Sequence, residues 1–142
     1  MINQAFIVLA TIFGFLFTLE AGSQLTINVS VQKEGQGLVQ LLLFKGGEGF
    51  PNQSDKAILS GSAPIENGKA VFKFGDLVDG TYAVAAYHDG NGDSKMRKTL
   101  FGIPKDAYGF SNNARGTFSS PSFESASFKL PSGSHTISFT LK

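Results

Sequence analysis

Hydrophobic and polar positions alternate along several short stretches of this chain, and a period of two is typical of half-buried β-strands. Residues 25–31 alternate strictly, and residues 134–142 do the same at the other end of the chain. Residues 38–44 are apolar on both faces except at Gln40, which predicts a central strand. Residues 81–88 predict a further strand. Because no stretch of residues 24–142 carries an apolar stripe of helical period over three turns, the pattern predicts an all-β domain.

Turn-forming residues separate these stretches. Asn67 and Gly68 predict a tight hairpin, since both central residues of a type I′ turn need positive φ. Asp79 and Gly80 predict another turn of the same kind, and residues 69–74 alternate between the two turns. Six or seven short strands with frequent turns predict a single antiparallel β-sandwich, Ig-like or prealbumin-like, of about seven strands.

One long segment departs from the strand rhythm. The excursion, residues 89–124, is 36 residues long and shows no clean alternation. A connection of that length is uncommon in a compact domain and is usually functional or disordered. We expect this one to be ordered and to carry any site, because its apolar side chains can pack onto the sandwich. They are Phe101, Ile103, Tyr108, Phe110, Phe118 and Phe123.

The chain begins with an apolar run that resembles a secretory signal. Residues 5–19 are almost purely apolar but too few for a membrane span, which needs about 20. Small residues at 21–23 suit a cleavage site after Ser23, which predicts a mature domain of residues 24–142. The first four residues contain no Lys or Arg, so an uncleaved anchor or a first element of the fold stays open. We expect export to the periplasm or the medium, with no stable span after cleavage.

Composition narrows the functional classes. The 12 basic and 11 acidic residues leave a net charge of +1, so we expect no nucleic-acid binding, which needs a concentrated basic face. The absence of Cys excludes a disulfide framework, a thiolate zinc site and a cysteine nucleophile. We expect a monomer.

A turn at the start of the excursion carries candidate metal ligands. Asp89, Asn91 and Asp93 stand at positions 1, 3 and 5 of a Gly-rich turn, the spacing in which carboxylate and amide oxygens bind Ca²⁺. Ser94 and Arg97 stand where a calcium loop has Gly and a carboxylate. Two interpretations stay open: a calcium site, or a turn whose side chains bond their own backbone.

The sequence does not predict an enzyme. His88 and His135 are too few for a histidine metal centre, and the nucleophile elbow G-x-S-x-G is absent. Carboxylates of the excursion could in principle pair for hydrolysis, but nothing in their spacing favours a pairing. An envelope hydrolase is therefore the third alternative.

Several stretches carry a family resemblance. Residues 80–89 (GTYAVAAYHD), Asn91, residues 102–105 (GIPK) and residues 108–114 (YGFSNNA) resemble the signature of domain-of-unknown-function family 2141. The resemblance implies an exported, sandwich-like bacterial domain with no established activity. The chain departs from the family pattern at three positions, where Asp93 replaces an amide, Ser94 replaces a Gly and Arg97 replaces an acidic residue. The resemblance also groups His88, Asp89, Asn91, Tyr108, Phe110, Asn112 and Asn113 as one constellation.

The leading functional hypothesis is an exported, non-enzymatic binding or structural module. Aromatic residues among Gly, Asn and Ser suit stacking and hydrogen bonding to a polar ligand, such as a glycan or another envelope component. The candidate ligand-binding residues are His88, Tyr108, Phe110, Asn112 and Asn113. Two alternatives remain. The aromatic residues could form a small core that holds the excursion down, with Asn112 and Asn113 crosslinking it, and the module could be stabilised by calcium at Asp89, Asn91 and Asp93.

Overall fold

The structure, a computed structural model, describes residues 22–32 and 35–142. The apolar run at residues 5–19 lies outside the described residues, so its role as a signal stays a prediction. The described residues form eight strands: β1 Ser23–Val31, β2 Leu38–Lys45, β3 Leu59–Pro64, β4 Lys69–Leu77, β5 Gly80–Asp89, β6 Tyr108–Phe110, β7 Phe128–Leu130 and β8 Ser134–Leu141. A short helix, α1 Phe123–Ala126, precedes β7.

The strands form two sheets, which confirms the predicted β-sandwich. The smaller sheet has the order β4-β1-β8, and the larger has the order β3-β2-β5-β6. β7 pairs with the beginning of β5, and β6 pairs with its second half. The pairings are antiparallel except that of β1 with β8, which is parallel. The strand pattern predicts which face is buried but not the direction of the partner, so the parallel pair was not predicted.

The main core lies between the two sheets. The alternating apolar residues of β1, among them Ile27 and Val29, are fully buried. They face Tyr82 and Val84 of β5 within one apolar cluster. Burying a side chain of this size stabilises the fold by about 1.5–3 kcal/mol, so the strict alternation of β1 is what attaches the small sheet to the large one.

A second apolar cluster covers the outer face of the larger sheet. It contains Phe44, Ala83, Ala85, Phe110, Ala114 and Ala126. At its centre, Phe50 makes edge-to-face contacts with Phe44, Phe110 and Phe123, with ring centroids 5.5, 6.0 and 5.9 Å apart. β5 is therefore buried on both faces, because the loop before β3 and the excursion form a third layer.

The two predicted turns differ. Asn67 and Gly68 have φ angles of 51° and 75°, as a type I′ turn requires. They are closed by the two backbone hydrogen bonds of an antiparallel bridge between Glu66 and Lys69. Asp79 and Gly80 also connect two strands, but neither has positive φ, so the prediction of a second type I′ turn is wrong. Both turns join strands of different sheets, but among the described residues no such bridge flanks Asp79 and Gly80, and a type I′ turn is favoured where the flanking residues pair.

The excursion is ordered, as predicted, but only part of its apolar surface is packed. It contains β6 and the start of α1, and Phe110 and Phe123 join the outer cluster. Phe101, Ile103 and Phe118 are exposed, so the expectation that they pack onto the sandwich is wrong. Among the described residues, no helix has the length and apolar character to cross a membrane.

Candidate functional site

The turn that follows β5 is built around a buried carboxylate. Asp89 is only 1 % exposed. Its Oδ2 accepts hydrogen bonds of 2.9 Å from Gln40 Nε2 and from the Ser94 backbone N–H. Its Oδ1 is buried and has no hydrogen-bond partner among the described residues. A buried carboxylate oxygen without a partner is uncommon in folded proteins and calls for an explanation, such as a bound ion or water.

The hydrogen bonds keep this carboxylate ionised. Burial raises the pKa of Asp89, but the hydrogen bonds from Gln40 and Ser94, together with the nearby backbone N–H groups of Asp93 and Gly92, outweigh burial and lower the pKa below its usual range. The turn therefore holds a full negative charge beneath the surface.

The other two candidate metal ligands lie in the same turn and are exposed. Asn91 Nδ2 donates to Asp93 Oδ2 at 3.3 Å, and Asp93 Oδ1 accepts from the Lys95 backbone N–H at 2.9 Å. These are the local side-chain bonds of an Asx-rich turn. No group of three or more His, Cys, Asp or Glu placed to hold a metal occurs in the described part of the chain. The turn thus combines its own internal bonds with one unpartnered buried oxygen.

A row of polar and aromatic side chains crosses the outer face of the larger sheet. Ser62, Gln40, Tyr87 and Tyr108 are successive partners in register across β3, β2, β5 and β6. We call these four residues the tyrosine row. None of the four is buried. The Ser62 hydroxyl donates to Gln40 Oε1, so the row is joined through Gln40 to the Asp89 turn.

Tyr108 is held at the edge of this row. Its ring contacts Phe110 edge-to-face with centroids 5.8 Å apart. The Arg115 guanidinium carbon lies 5.3 Å from the Tyr108 ring centroid, and Arg115 Nη2 donates to the Tyr108 carbonyl at 3.3 Å. The ring therefore has a supported position and a cation beside it.

Sequence reasoning selected Tyr108 but missed Ser62, Gln40 and Tyr87. Gln40 had a visible signal, because it is the one polar residue in an otherwise apolar strand. Tyr87 is out of phase with the inward residues of β5, which also predicts an outward side chain. Their alignment with Tyr108 could not be read from the sequence, since it depends on strand register.

The other predicted ligand-binding residues have visible structural contacts. Phe110 is 6 % exposed and packs in the outer cluster. Asn112 Nδ2 donates to the Ser127 carbonyl at 2.7 Å, and Asn113 Oδ1 accepts from the Thr140 N–H at 2.9 Å. The hypothesis that both asparagines crosslink the excursion is confirmed: Asn112 attaches it to the end of α1 and Asn113 attaches it to β8.

His88 does not share a face with Tyr108. It pairs with Val39, which points into the core between the sheets, whereas Tyr87 and Tyr108 point outward. His88 Nε2 lies 3.0 Å from the Gln36 carbonyl. The predicted constellation is therefore divided between the two faces of the larger sheet.

Comparisons with known proteins place the chain in a family. The family model described as an uncharacterized protein conserved in bacteria, DUF2141, matches residues 27–138. The chain belongs to DUF2141. No curated protein matches it. A solved pilus-presented adhesin is similar over 87 % of this chain and 27 % of its own, so the chain spans about a quarter of that protein's length. At 10 % identity and a TM-score of 0.30, this likeness has no bearing on function.

Several residues of the DUF2141 motif at positions 108–114 have structural roles. A Cβ on Gly109 would lie 2.6 Å from the Thr140 carbonyl oxygen, so only glycine lets β6 approach β8 this closely. Ser111 is buried, and its Oγ accepts from the Val84 N–H at 2.9 Å and donates to the Ala126 carbonyl at 2.5 Å. This part of the family signature thus fixes the excursion against β5 and β8 and positions Tyr108.

Proposed function

We propose that this DUF2141 protein is an exported, non-enzymatic module that binds a glycan on the tyrosine row. The observation that supports the proposal is the in-register alignment of Ser62, Gln40, Tyr87 and Tyr108 on an outward strand face. The apolar run at residues 5–19 supports export.

The chemistry of the row suits a saccharide. A sugar ring has an apolar face that can lie against an aromatic ring and hydroxyl groups that need hydrogen-bond partners. Tyr87 and Tyr108 supply the rings, and the exposed Arg115 beside Tyr108 supplies donors. Burial, followed by the nearby charges of three aspartates, raises the pKa of Tyr87. Its hydroxyl is therefore protonated and able to donate at neutral pH.

The shape of the row favours an extended ligand. The four residues lie side by side on four neighbouring strands, which are about 4.8 Å apart. Such a strip is long and flat, so it can accommodate several units of a polysaccharide rather than enclose a small molecule. The row has two polar side chains on β3 and β2 beside two aromatic rings on β5 and β6, which suits a polymer with both hydroxyl groups and apolar faces.

Titration of the purified protein with a panel of soluble polysaccharides and peptidoglycan fragments tests this function. We expect saturable binding to at least one of them, weakened about threefold to tenfold by Tyr108→Ala, since an aromatic contact contributes about 0.5–1.5 kcal/mol beyond its buried area. Tyr87→Ala should act likewise. The matched control is Phe118→Ala, which removes an exposed ring outside the row. Absence of binding across the panel, or equal binding by wild type and Tyr108→Ala, would contradict the proposal.

A second candidate function is calcium-dependent stabilisation at the Asp89 turn. The specific observation is the buried, unpartnered Oδ1 of an ionised carboxylate. Asn91 and Asp93 could add oxygen ligands from the same turn. A Ca²⁺ ion at this oxygen would neutralise a charge that the described residues leave without a cation partner.

Thermal unfolding in chelator and in millimolar Ca²⁺ tests this second function. Calcium at 100 times its Kd would add about 2.7 kcal/mol, which raises the Tm of a domain of this size by about 10 °C. Asp89→Asn should abolish the rise, whereas Asp55→Asn, at an exposed position, should leave it intact. An identical Tm in chelator and in calcium would exclude a tight calcium site.

A further inference from the structure

A small hairpin projects from the excursion between the Asp89 turn and β6. We call residues 97–105 the finger. Lys98 and Pro104 form an antiparallel bridge, and the Lys105 N–H donates to the Arg97 carbonyl at 2.8 Å. Near the tip, the Thr99 N–H donates to the Ile103 carbonyl at 2.8 Å. The finger therefore has a defined backbone of its own.

The base of the finger is attached to the domain by an ion pair. Asp106 is buried, and its Oδ2 accepts from the Arg97 backbone N–H at 2.7 Å. Its Oδ1 accepts from Arg97 Nε at 2.8 Å and lies 2.7 Å from Nη2. Because Arg97 is held through both its backbone and its side chain, the finger leaves the domain in a fixed direction.

The tip of the finger is apolar and exposed. Leu100 and Phe101 are 103 % and 91 % exposed, and Ile103 is 60 % exposed. Side chains of this size are usually buried, and three together at the end of a projecting hairpin form an apolar surface that indicates an interaction site.

Basic residues surround this tip. Lys95, Lys98 and Lys105 are exposed, and residues 95–105 contain no Asp or Glu. Arg97 pairs with Asp106, but none of the three lysines forms a salt bridge within the described ranges 22–32 and 35–142. Among the described residues, the finger thus carries two lysines without a salt-bridge partner, Lys98 and Lys105, behind its apolar tip, and Lys95 precedes its base.

We propose that the finger docks the protein on an anionic lipid surface, with its apolar tip inserted among the acyl chains. Amphipathic elements bind membranes through buried apolar area together with attraction of Lys and Arg to anionic headgroups. Leu100 and Phe101 supply the apolar area. The lysine side chains are long enough to place their charges at the headgroups while their stems cover the apolar boundary. The charge complementarity favours an anionic bilayer over an uncharged partner surface.

The finger and the start of β1 lie at opposite ends of β5. Ser23 Oγ donates to Asp79 Oδ1 at 3.1 Å, so the start of β1 lies beside the start of β5. The finger follows the other end of β5, after Asp89. Docking through the finger therefore takes place away from the start of β1, and it does not depend on the ligand of the tyrosine row.

The absence of Trp from the chain allows a direct test. Phe101→Trp places a single fluorophore at the tip, and Phe118→Trp places one at an equally exposed position outside the finger. Vesicles of phosphatidylglycerol and phosphatidylcholine are added to each purified variant. We expect the emission of Phe101→Trp to shift to the blue and to be quenched by brominated acyl chains, and that of Phe118→Trp to stay unchanged.

A charge series tests the second half of the proposal. Adding Lys98→Gln and Lys105→Gln to Phe101→Trp should weaken vesicle binding about thirtyfold, from about 1 kcal/mol per lysine. Raising the salt concentration should also weaken it. No blue shift of Phe101→Trp, an equal shift of Phe118→Trp, or equal binding to pure phosphatidylcholine would each overturn the proposal. The first of these results would leave the tip as a contact for another protein.

Discussion

Replacement of Asp89 by Asn tests whether the turn after β5 depends on a buried charge. The substitution keeps the size of the side chain but removes the charge. Asp89 Oδ2 accepts two hydrogen bonds, from Gln40 and from the Ser94 N–H. A hydrogen bond to a charged group contributes about 1.5–3 kcal/mol and one between neutral groups about 0.5–1.5 kcal/mol. Two bonds each weakened by about 1 kcal/mol give a loss of about 2 kcal/mol.

Part of this loss is offset, because the neutral amide is less costly to bury than a carboxylate with one unpartnered oxygen. We expect a net loss of about 1–2 kcal/mol at pH 7, or about 4–8 °C in Tm. The measurement is urea unfolding in chelator, so that any bound metal does not contribute.

The pH dependence distinguishes a lost charge from a general packing defect. The pKa of Asp89 is lower in the folded protein than in the unfolded chain. Its contribution to stability is therefore present above the unfolded pKa, near 3.9, and is lost as the pH falls through the folded pKa. Asp106, whose pKa is raised by burial but lowered overall by Arg97, contributes in the same direction. Stability should fall less between pH 7 and pH 3 in Asp89→Asn than in the wild type.

The control for this prediction is Asp55→Asn, which changes an exposed acidic residue. It should leave both the stability at pH 7 and the loss at acid pH close to those of the wild type. If Asp89→Asn and the wild type lose the same free energy of unfolding between pH 7 and pH 3, the turn bonds do not hold the carboxylate ionised and the reasoning is refuted.

Three further predictions concern how the excursion is attached. Ser111→Ala should reduce the free energy of unfolding by about 2–4 kcal/mol, since it leaves the buried Val84 N–H and a buried carbonyl without partners. Urea unfolding measures this loss, and Ser111→Thr, which keeps the hydroxyl and adds a methyl group, is the control for side-chain size. Gly109→Ala should prevent β6 from docking on β8, because its Cβ would meet the Thr140 carbonyl at 2.6 Å; loss of Tm and of amide protection in β8 would show it, and a wild-type Tm would contradict it. Asn112→Gly keeps the positive φ of 60° but removes the amide bonds to the end of α1, so the excursion should be cut faster by protease, and an unchanged digestion rate would count against the crosslink.

Much of the β-sandwich was predicted from local patterns. The alternation in residues 25–31 identifies β1 and its buried face because side chains point to opposite faces at successive residues of any strand. Asn67 and Gly68 identify their hairpin because positive φ is a property of the residues themselves. The asparagine crosslinks were also predicted, since the amide chemistry of Asn112 and Asn113 suits bonds to backbone groups.

Other features depend on contacts between residues far apart in the chain. The parallel pairing of β1 with β8 and the crossing from β4 to β5 between sheets are decided by how the sheets assemble. Phe101 and Phe110 both lie in the excursion next to a glycine. Phe110 is buried against Phe50, whereas Phe101 is exposed at the tip of the finger. The hydrophobicity of a side chain therefore does not predict which of these two aromatic rings is buried.

The candidate site shows the same division. Asp89, Asn91 and Asp93 could be placed in one turn from their spacing, because that spacing is local, and Tyr108 could be placed in a polar aromatic segment. The burial of Asp89 beside Gln40 and the register of Tyr108 with Tyr87 depend on how distant strands pair. Strand register is a long-range property, since it is set by the packing of both sheet faces and by the closure of the excursion.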